Sequence, residues 1–306
     1  MNGRAGWLRS AGLAARVAAD RGDLWLPGTL GALTYLAWLP LVVTVAAVPR
    51  TSDLAFLGAG LLSSELFPLN VLLIAALGAL GILLACLLAA VAEAALLRAA
   101  GLGTPGRSMT QELEMALSVM LVAVLPAVAI GAALISALAA VAPAEFGAPD
   151  LGVPLVLRIS LRVAPLLAAL VLVAWLAQAF GAVALRRVIG PNALPLGRAM
   201  RAALSDMAHH PLRRLALALS SFLADLLAVA LAVALLRIVW APIGVELADG
   251  QLITPAALLL LVGFVAIWLA VILGFGALHV WVSTWWSLEI GTPGEMARPE
   301  AQEALV

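Results

Sequence analysis

Six stretches of the chain, residues 26–48, 71–97, 119–141, 163–185, 215–236 and 258–282, are apolar almost without interruption. At 1.5 Å per residue, about 20 such residues cross the hydrocarbon core of a bilayer as a helix. A membrane barrel needs short segments that alternate in polarity, whereas these runs are apolar on every face. The predicted fold class is therefore all-α: a single polytopic membrane domain over residues 1–306 with six transmembrane helices. Composition agrees, with 64% hydrophobic residues, 11% charged residues and a mean hydropathy of +1.13. Soluble domains carry about a quarter charged residues, so an ordinary globule, a disordered chain and a nucleic-acid binder are all excluded.

The 17 basic residues are all arginine, matched by 17 acidic ones, and their distribution orients the spans. Thirteen arginines fall on the side of the N-terminus, the even-to-odd connections and the C-terminus: Arg4, Arg9, Arg16, Arg21, Arg98, Arg107, Arg186, Arg187, Arg198, Arg201, Arg213, Arg214 and Arg298. Arg50, Arg158, Arg162 and Arg237 fall on the other. Short loops rich in arginine stay in the cytoplasm, which predicts cytoplasmic termini in a bacterial inner membrane. The opposite loops carry Asp53, Glu65, Glu145, Asp150, Glu246 and Asp249. Trp240 is expected at the outer boundary, and Trp281, Trp285 and Trp286 in an aromatic belt at the inner one. Residues 1–23 have dispersed arginines and no compact apolar core, so a cleaved signal is not expected.

The dipeptide Gly-Arg occurs three times, at Gly3-Arg4, Gly106-Arg107 and Gly197-Arg198, each time ahead of an odd-numbered span. Residues 103–106 and 291–294 both read Gly-Thr-Pro-Gly. These echoes suggest three parallel units, about 3–104, 105–195 and 196–294, each an interfacial helix, a span, an outer loop and a return span. In 198–213, Arg198, Arg201, Ser205, Asp206, His209 and Arg213 share one arc, opposite Met200, Leu204 and Met207. Residues 107–120 divide in the same way and residues 4–24 more weakly, as helices lying in the membrane plane do.

Ionisable residues inside spans are costly and so become candidates for function. Asp225, beside Ser220 and Ser221 in the fifth span, can bind a proton or cation, or hold two helices together through a hydrogen-bonded carboxyl. Glu93, near the cytoplasmic end of span two, suits an ion pair with Arg98 more than a relay. Gln178 and Asn70 are placed to hydrogen-bond across helices. Pro126 and Pro165 are expected to bend spans three and four. The candidate polar or transport set is thus Asp225, Gln178, Glu93 and Ser221. Cys86 is alone, which excludes a disulfide. His209, His210 and His279 lack metal-ligand spacing, so no metal is expected. No nucleophile elbow, phosphate loop or dinucleotide fingerprint occurs, and neither an enzyme activity nor a cofactor is predicted.

The Gly-Arg-x-Met openings at Gly106 and Gly197, the interfacial segments ending in His210-Pro211 or Leu26-Pro27, and the six spans resemble a group of bacterial six-helix membrane families. Among them is the membrane domain of some glycerophosphoryl diester phosphodiesterases. The resemblance implies the membrane fold and carries over no catalytic residue. The sequence favours a non-enzymatic membrane subunit that anchors or scaffolds a larger complex, with the bilayer and other membrane subunits, or further copies of itself, as partners. The alternative is a small-molecule, ion or lipid transporter, including the membrane subunit of an ATP-driven one.

Overall fold

The computed structural model describes residues 3–34, 37–46, 60, 63–66, 68–101, 106–146, 155–190, 193–248 and 254–290. Among them, nine α-helices and no strand are found: α1 Gly3–Asp20, α2 Trp25–Leu33, α3 Leu39–Val45, α4 Leu69–Ala99, α5 Met109–Phe146, α6 Leu155–Ile189, α7 Leu196–His209, α8 Pro211–Ala248 and α9 Pro255–Ile290. Five of these, α4, α5, α6, α8 and α9, are long and apolar enough to cross a membrane, which makes the protein a multi-pass helical membrane protein. They run 31 to 38 residues. At 1.5 Å per residue that is roughly 47 to 57 Å, well beyond a core of about 30 Å. Each contains one of the last five predicted spans and extends past both its edges.

Local chemistry explains where these helices start and stop. Ser108 and Gln111 cap α5 reciprocally: the Gln111 amide donates to Ser108 Oγ at 3.3 Å, and the Ser108 amide to Gln111 Oε1 at 3.3 Å. Thr254 Oγ1 accepts the Ala257 amide at 3.1 Å ahead of Pro255, which opens α9 where its missing N–H costs nothing. Just past α4, Gly101 has φ +72°, a left-handed exit open to glycine. Pro126 and Pro143 lie within α5, Pro165 within α6 and Pro242 within α8; the helices continue through all four.

The first predicted span, residues 26–48, is not one continuous helix. Its described residues form α2, of nine residues, and α3, of seven. The end of α2 tightens, with the Thr34 amide and hydroxyl both donating to the Gly31 carbonyl at 3.1 and 2.6 Å. The Ala37 amide then reaches back to the Ala32 carbonyl at 3.1 Å. Pro40 stands in the first turn of α3, where its ring would clash with a carbonyl four residues earlier if the helix ran on.

Two of the three expected interfacial helices are separate elements. Arg21-Gly22-Asp23 breaks the chain after α1, and a 3-10 turn, Gly22–Leu24, follows. There Arg21 donates two hydrogen bonds to Asp23, which hold the Asp23 carboxyl below its ordinary value. His210-Pro211 breaks the chain between α7 and α8. The middle candidate, residues 107–120, instead forms the opening turns of α5, because no proline or glycine separates Met109 from Pro126. The Gly-Arg copies also differ in backbone: Gly106 has φ +79°, whereas Gly197 is helical within α7.

Residue contacts divide into two units. The larger comprises Met1–Ala46, Ala85–Val119 and Ala182–Val306; the smaller comprises Ala47–Leu84 and Met120–Gly181. In the larger unit, α2 meets α9 at reciprocal glycines. A Cβ on Gly28 would overlap the Gly276 carbonyl oxygen, and one on Gly276 would overlap Thr29 Oγ1 and lie 2.7 Å from the Trp25 oxygen. Beyond that crossing, Ala32 and Ala37 pack with Val229, Ala232, Ile272 and Phe275, and Leu41 packs against Leu236, Ile243 and Phe264. The broken segment thus tracks α9 from Val280 to Phe264, about 24 Å at 1.5 Å per residue.

Tryptophans lock the same unit. Trp285 and Trp286 are buried rather than set in a boundary belt. Trp285 packs between Trp7 and Trp281, with ring centroids 4.9 and 5.2 Å away. Trp281 Nε1 donates to the Ala11 carbonyl at 3.0 Å. Trp268 packs on Trp38 at 5.4 Å, and Trp240 on Phe264 at 5.0 Å.

In the smaller unit, buried Glu145 faces Arg158 at 3.6 Å and Arg162 at 2.5 Å, joining the end of α5 to the start of α6. A Cβ placed on Gly181 would meet Ala123 at 3.5 Å, an ordinary contact.

Candidate functional site

The larger unit gathers ionisable side chains from three long helices into one buried cluster. Glu93 comes from α4, Arg186 from α6, and His279, Ser283 and Ser287 from α9 at four-residue spacing, which sets them on one helical face. Glu93 Oε1 lies 3.1 Å from His279 Nε2, and Glu93 Oε2 accepts from Ser283 Oγ at 2.9 Å and faces Arg186 Nη2 at 3.6 Å. The Arg186 guanidinium spends its donors on α9 and its own helix. It reaches Ser287 Oγ at 3.0 Å, the Ser283 carbonyl at 2.6 Å, Ser283 Oγ at 2.9 Å and the Ala182 carbonyl at 2.9 Å. The His279 ring presses on α2, where a Cβ on Gly31 would come 2.5 Å from Nε2. A cavity of ≈ 10 Å³ between Leu24, Leu96 and Ser287 has room for about one water.

Further pairs surround this cluster in the same unit. Arg98 Nε lies 3.2 Å from Glu112, which is fully buried, and Arg98 Nη2 donates to the Arg107 carbonyl at 2.6 Å. Arg107 in turn donates to the Val188 carbonyl at 2.8 Å. Glu289 receives Arg213 at 2.6 Å and the Ser10 hydroxyl, while its carbonyl accepts from Arg214 at 3.1 Å. Arg214, itself buried, also holds Asp206 of α7 at 2.7 Å. These contacts collect the C-terminal ends of α4, α6 and α9 and the N-terminal ends of α5 and α8 with the short helices α1 and α7.

The predicted residues meet different fates. Glu93 is the centre of the cluster, partnered by Arg186 and His279; Arg98, its expected mate, turns to Glu112 instead. Ser221 is buried and structural: its hydroxyl donates to the Leu217 carbonyl at 2.9 Å and accepts from Trp286 Nε1 at 3.2 Å, tying α8 to α9. Asp225 is half-buried on α8, one turn beyond Ser221. Gln178 is exposed and belongs to the smaller unit. Asn70 Oδ1 accepts the Val71 amide at 2.8 Å at the start of α4. The sequence reading passed over His279, Arg186 and Ser283, although His279-x-x-x-Ser283-x-x-x-Ser287 is a polar stripe at helical spacing within an apolar run.

Among the described residues, no group of three or more metal-ligating side chains is found. Compared with protein-family models, curated proteins and solved structures, the chain has no match.

Proposed function

We propose that this protein is a non-enzymatic membrane subunit that anchors a larger membrane complex. The observation that carries this reading is the outer half of α4. From Val71 to Leu84 every side chain is exposed, including Leu72, Leu73, Ile74, Leu77, Leu80 and Leu83, and nothing approaches a Cβ placed on Gly78 or Gly81. Consecutive exposed positions cover all sides of a helix, and small residues let a second membrane helix come close. The partner is an integral membrane subunit whose spans pack there. The paired charges of the larger unit supply a rigid base.

The finer topology belongs to this proposal. Both termini lie in the cytoplasm of a bacterial inner membrane, as the thirteen-to-four arginine division supports. The broken pair α2–α3, running along α9, supplies the sixth crossing. The three-unit repeat is kept as an origin for the leading helices α1 and α7. The test is extraction of the full chain from its native membrane in mild detergent, with identification of what remains bound. A stoichiometric membrane subunit is expected, and Gly81→Leu should release it without lowering the yield of folded protein. A stable solitary monomer overturns the reading.

A transporter is the second reading, favoured by the discontinuous α2–α3 segment, since broken helices mark substrate sites in many transporters. Solute flux in reconstituted vesicles that fails to change in Asp225→Asn would end a mechanism through that carboxyl.

A further inference from the structure

Helix α7 is joined to the long helix α8 by His210 alone, whose backbone (φ −125°, ψ 48°) leaves the helical region. That break turns α7 out of the line of α8, and Arg214 clasps Asp206 across it at 2.7 Å. Just beyond the break, α8 exposes Leu212, Leu215, Leu219 and Leu223. The end of α7 therefore lies where the apolar surface of a spanning helix begins, at the level of the membrane boundary.

The sides of α7 differ in chemistry. The fully buried Ala199 and Ala203, one turn apart, mark the side that rests on the protein. Leu196, Met200 and Leu204 line one flank, where Leu204 is 60% exposed. Arg198, Arg201 and Ser205 line the other, and all three are exposed. Asp206, the one acidic residue of the helix, is spent on Arg214. Among the described residues, neither Arg198 nor Arg201 has a hydrogen-bond or ion-pair partner for its side chain. We infer that α7 docks on anionic phospholipid headgroups of the membrane that its neighbours span. Arg198 and Arg201 bind the phosphates, and Leu204 enters the acyl boundary.

Charge complementarity selects this occupant. Helix α1 is tied to the same end of the unit through Ser10, Glu289 and Arg213, and its Arg9 and Arg16 are also exposed and unpaired. Among the described residues of α1, α7 and the first turns of α5, the exposed acids without an ion pair are Asp20 and Glu114. Four arginines against two carboxylates leave this end cationic. Each cation near an anionic membrane strengthens attachment roughly fivefold, and the guanidinium fork matches a phosphate. An apolar flank beside a cationic one fits a headgroup boundary, with acyl chains on one side of the helix and phosphates on the other. The same docking serves an anchoring subunit and a transporter alike.

The test places a nitroxide at Leu204→Cys or at Ser205→Cys in the full chain, in a Cys86→Ala background. The protein is reconstituted in vesicles of phosphatidylcholine, alone or mixed in equal parts with phosphatidylglycerol. In mixed vesicles, position 204 is expected to be open to oxygen and shielded from an aqueous relaxing agent, and position 205 the reverse. In phosphatidylcholine alone that contrast should shrink severalfold, and Arg198→Gln with Arg201→Gln should shrink it as far in mixed vesicles. Equal access of water to both positions in mixed vesicles overturns the inference and is what a helix awaiting a protein partner would give. A contrast that ignores phosphatidylglycerol overturns it too. So does one restored in phosphatidylcholine by inorganic phosphate, which would mark a free-anion site. If a labelled variant fails to fold, the unmodified chain decides. Offered equal parts of the two lipids in mild detergent, it must retain phosphatidylglycerol in preference by native mass spectrometry, and equal retention overturns the inference.

Discussion

Arg186 and Glu93 are each useful only because the other is present. Arg186 is buried and donates to three oxygens of α9, while Glu93 sits between it and His279. Removing one member of a buried pair leaves an uncompensated charge and typically costs about 3–5 kcal/mol. Arg186→Met is therefore expected to lower stability in detergent by that amount, and Arg186→Lys to restore little, because a point charge cannot reproduce the forked donation to Ser283 and Ser287. Adding Glu93→Gln to Arg186→Met should cost less than the two single changes summed, by about 1–3 kcal/mol of coupling. Equal and additive losses would show that the pair is not a unit. At this scale the sequence was half legible. An ionisable residue inside an apolar run marks itself, so Glu93 and Asp225 stood out. The partners of Glu93 did not, because Arg186 reads as a loop arginine of the positive-inside pattern and His279 as a solitary histidine. What joins them is the rotation of α6 and α9 about their axes, which no local spacing specifies.

Among elements, the α2–α9 crossing is the tightest contact in the larger unit, and glycine makes it possible. Gly276 faces Thr29 Oγ1 and the Trp25 carbonyl so closely that a Cβ has no room, and backbone atoms cannot move aside as a flexible side-chain end can. Gly276→Ala is expected to lower the midpoint of thermal unfolding in detergent, with an overpacking cost of about 1–3 kcal/mol. Gly263→Ala on the same helix, where nothing lies within 4 Å, should leave the midpoint unchanged or raise it slightly, and so controls for helix propensity. A Gly276→Ala protein as stable as the Gly263→Ala one would mean that α2 does not pack as described. Hydrophobic run length correctly located all five long helices, because it measures the bilayer thickness the chain must match. It did not foresee that residues 26–48 form two short helices, because a hydropathy sum is blind to Pro40, which stands in the first turn of α3 where a missing N–H costs nothing. Apolar content and helical continuity are separate properties, and only the first is additive along the chain.

For the whole molecule, the issue is whether the broken pair completes an even number of crossings. The α1 helix is tied to the arginine-rich end through Ser10 and Glu289, while Leu41 of α3 reaches Phe264. Twenty-five residues of α9 separate Glu289 from Phe264, roughly 38 Å of helix and more than the core of a bilayer. On the proposed reading, the segment that runs from one end of α9 to the other supplies a crossing although its helix is interrupted. This gives a direct expectation for impermeant thiol labelling of intact cells, in a Cys86→Ala background. Glu65→Cys should be labelled from outside, and Arg16→Cys and Arg201→Cys only after permeabilisation; all three positions are exposed on the protein. Residues 65 and 201 are separated by α4, α5 and α6, so an odd number of crossings puts them on opposite faces whatever α2–α3 does. The pair Arg16 and Glu65 carries the decision, because only the broken segment and the stretch after it lie between them. Labelling of both from the same side would make α2–α3 a re-entrant segment, place α1 opposite to its predicted side and reduce the protein to five crossings.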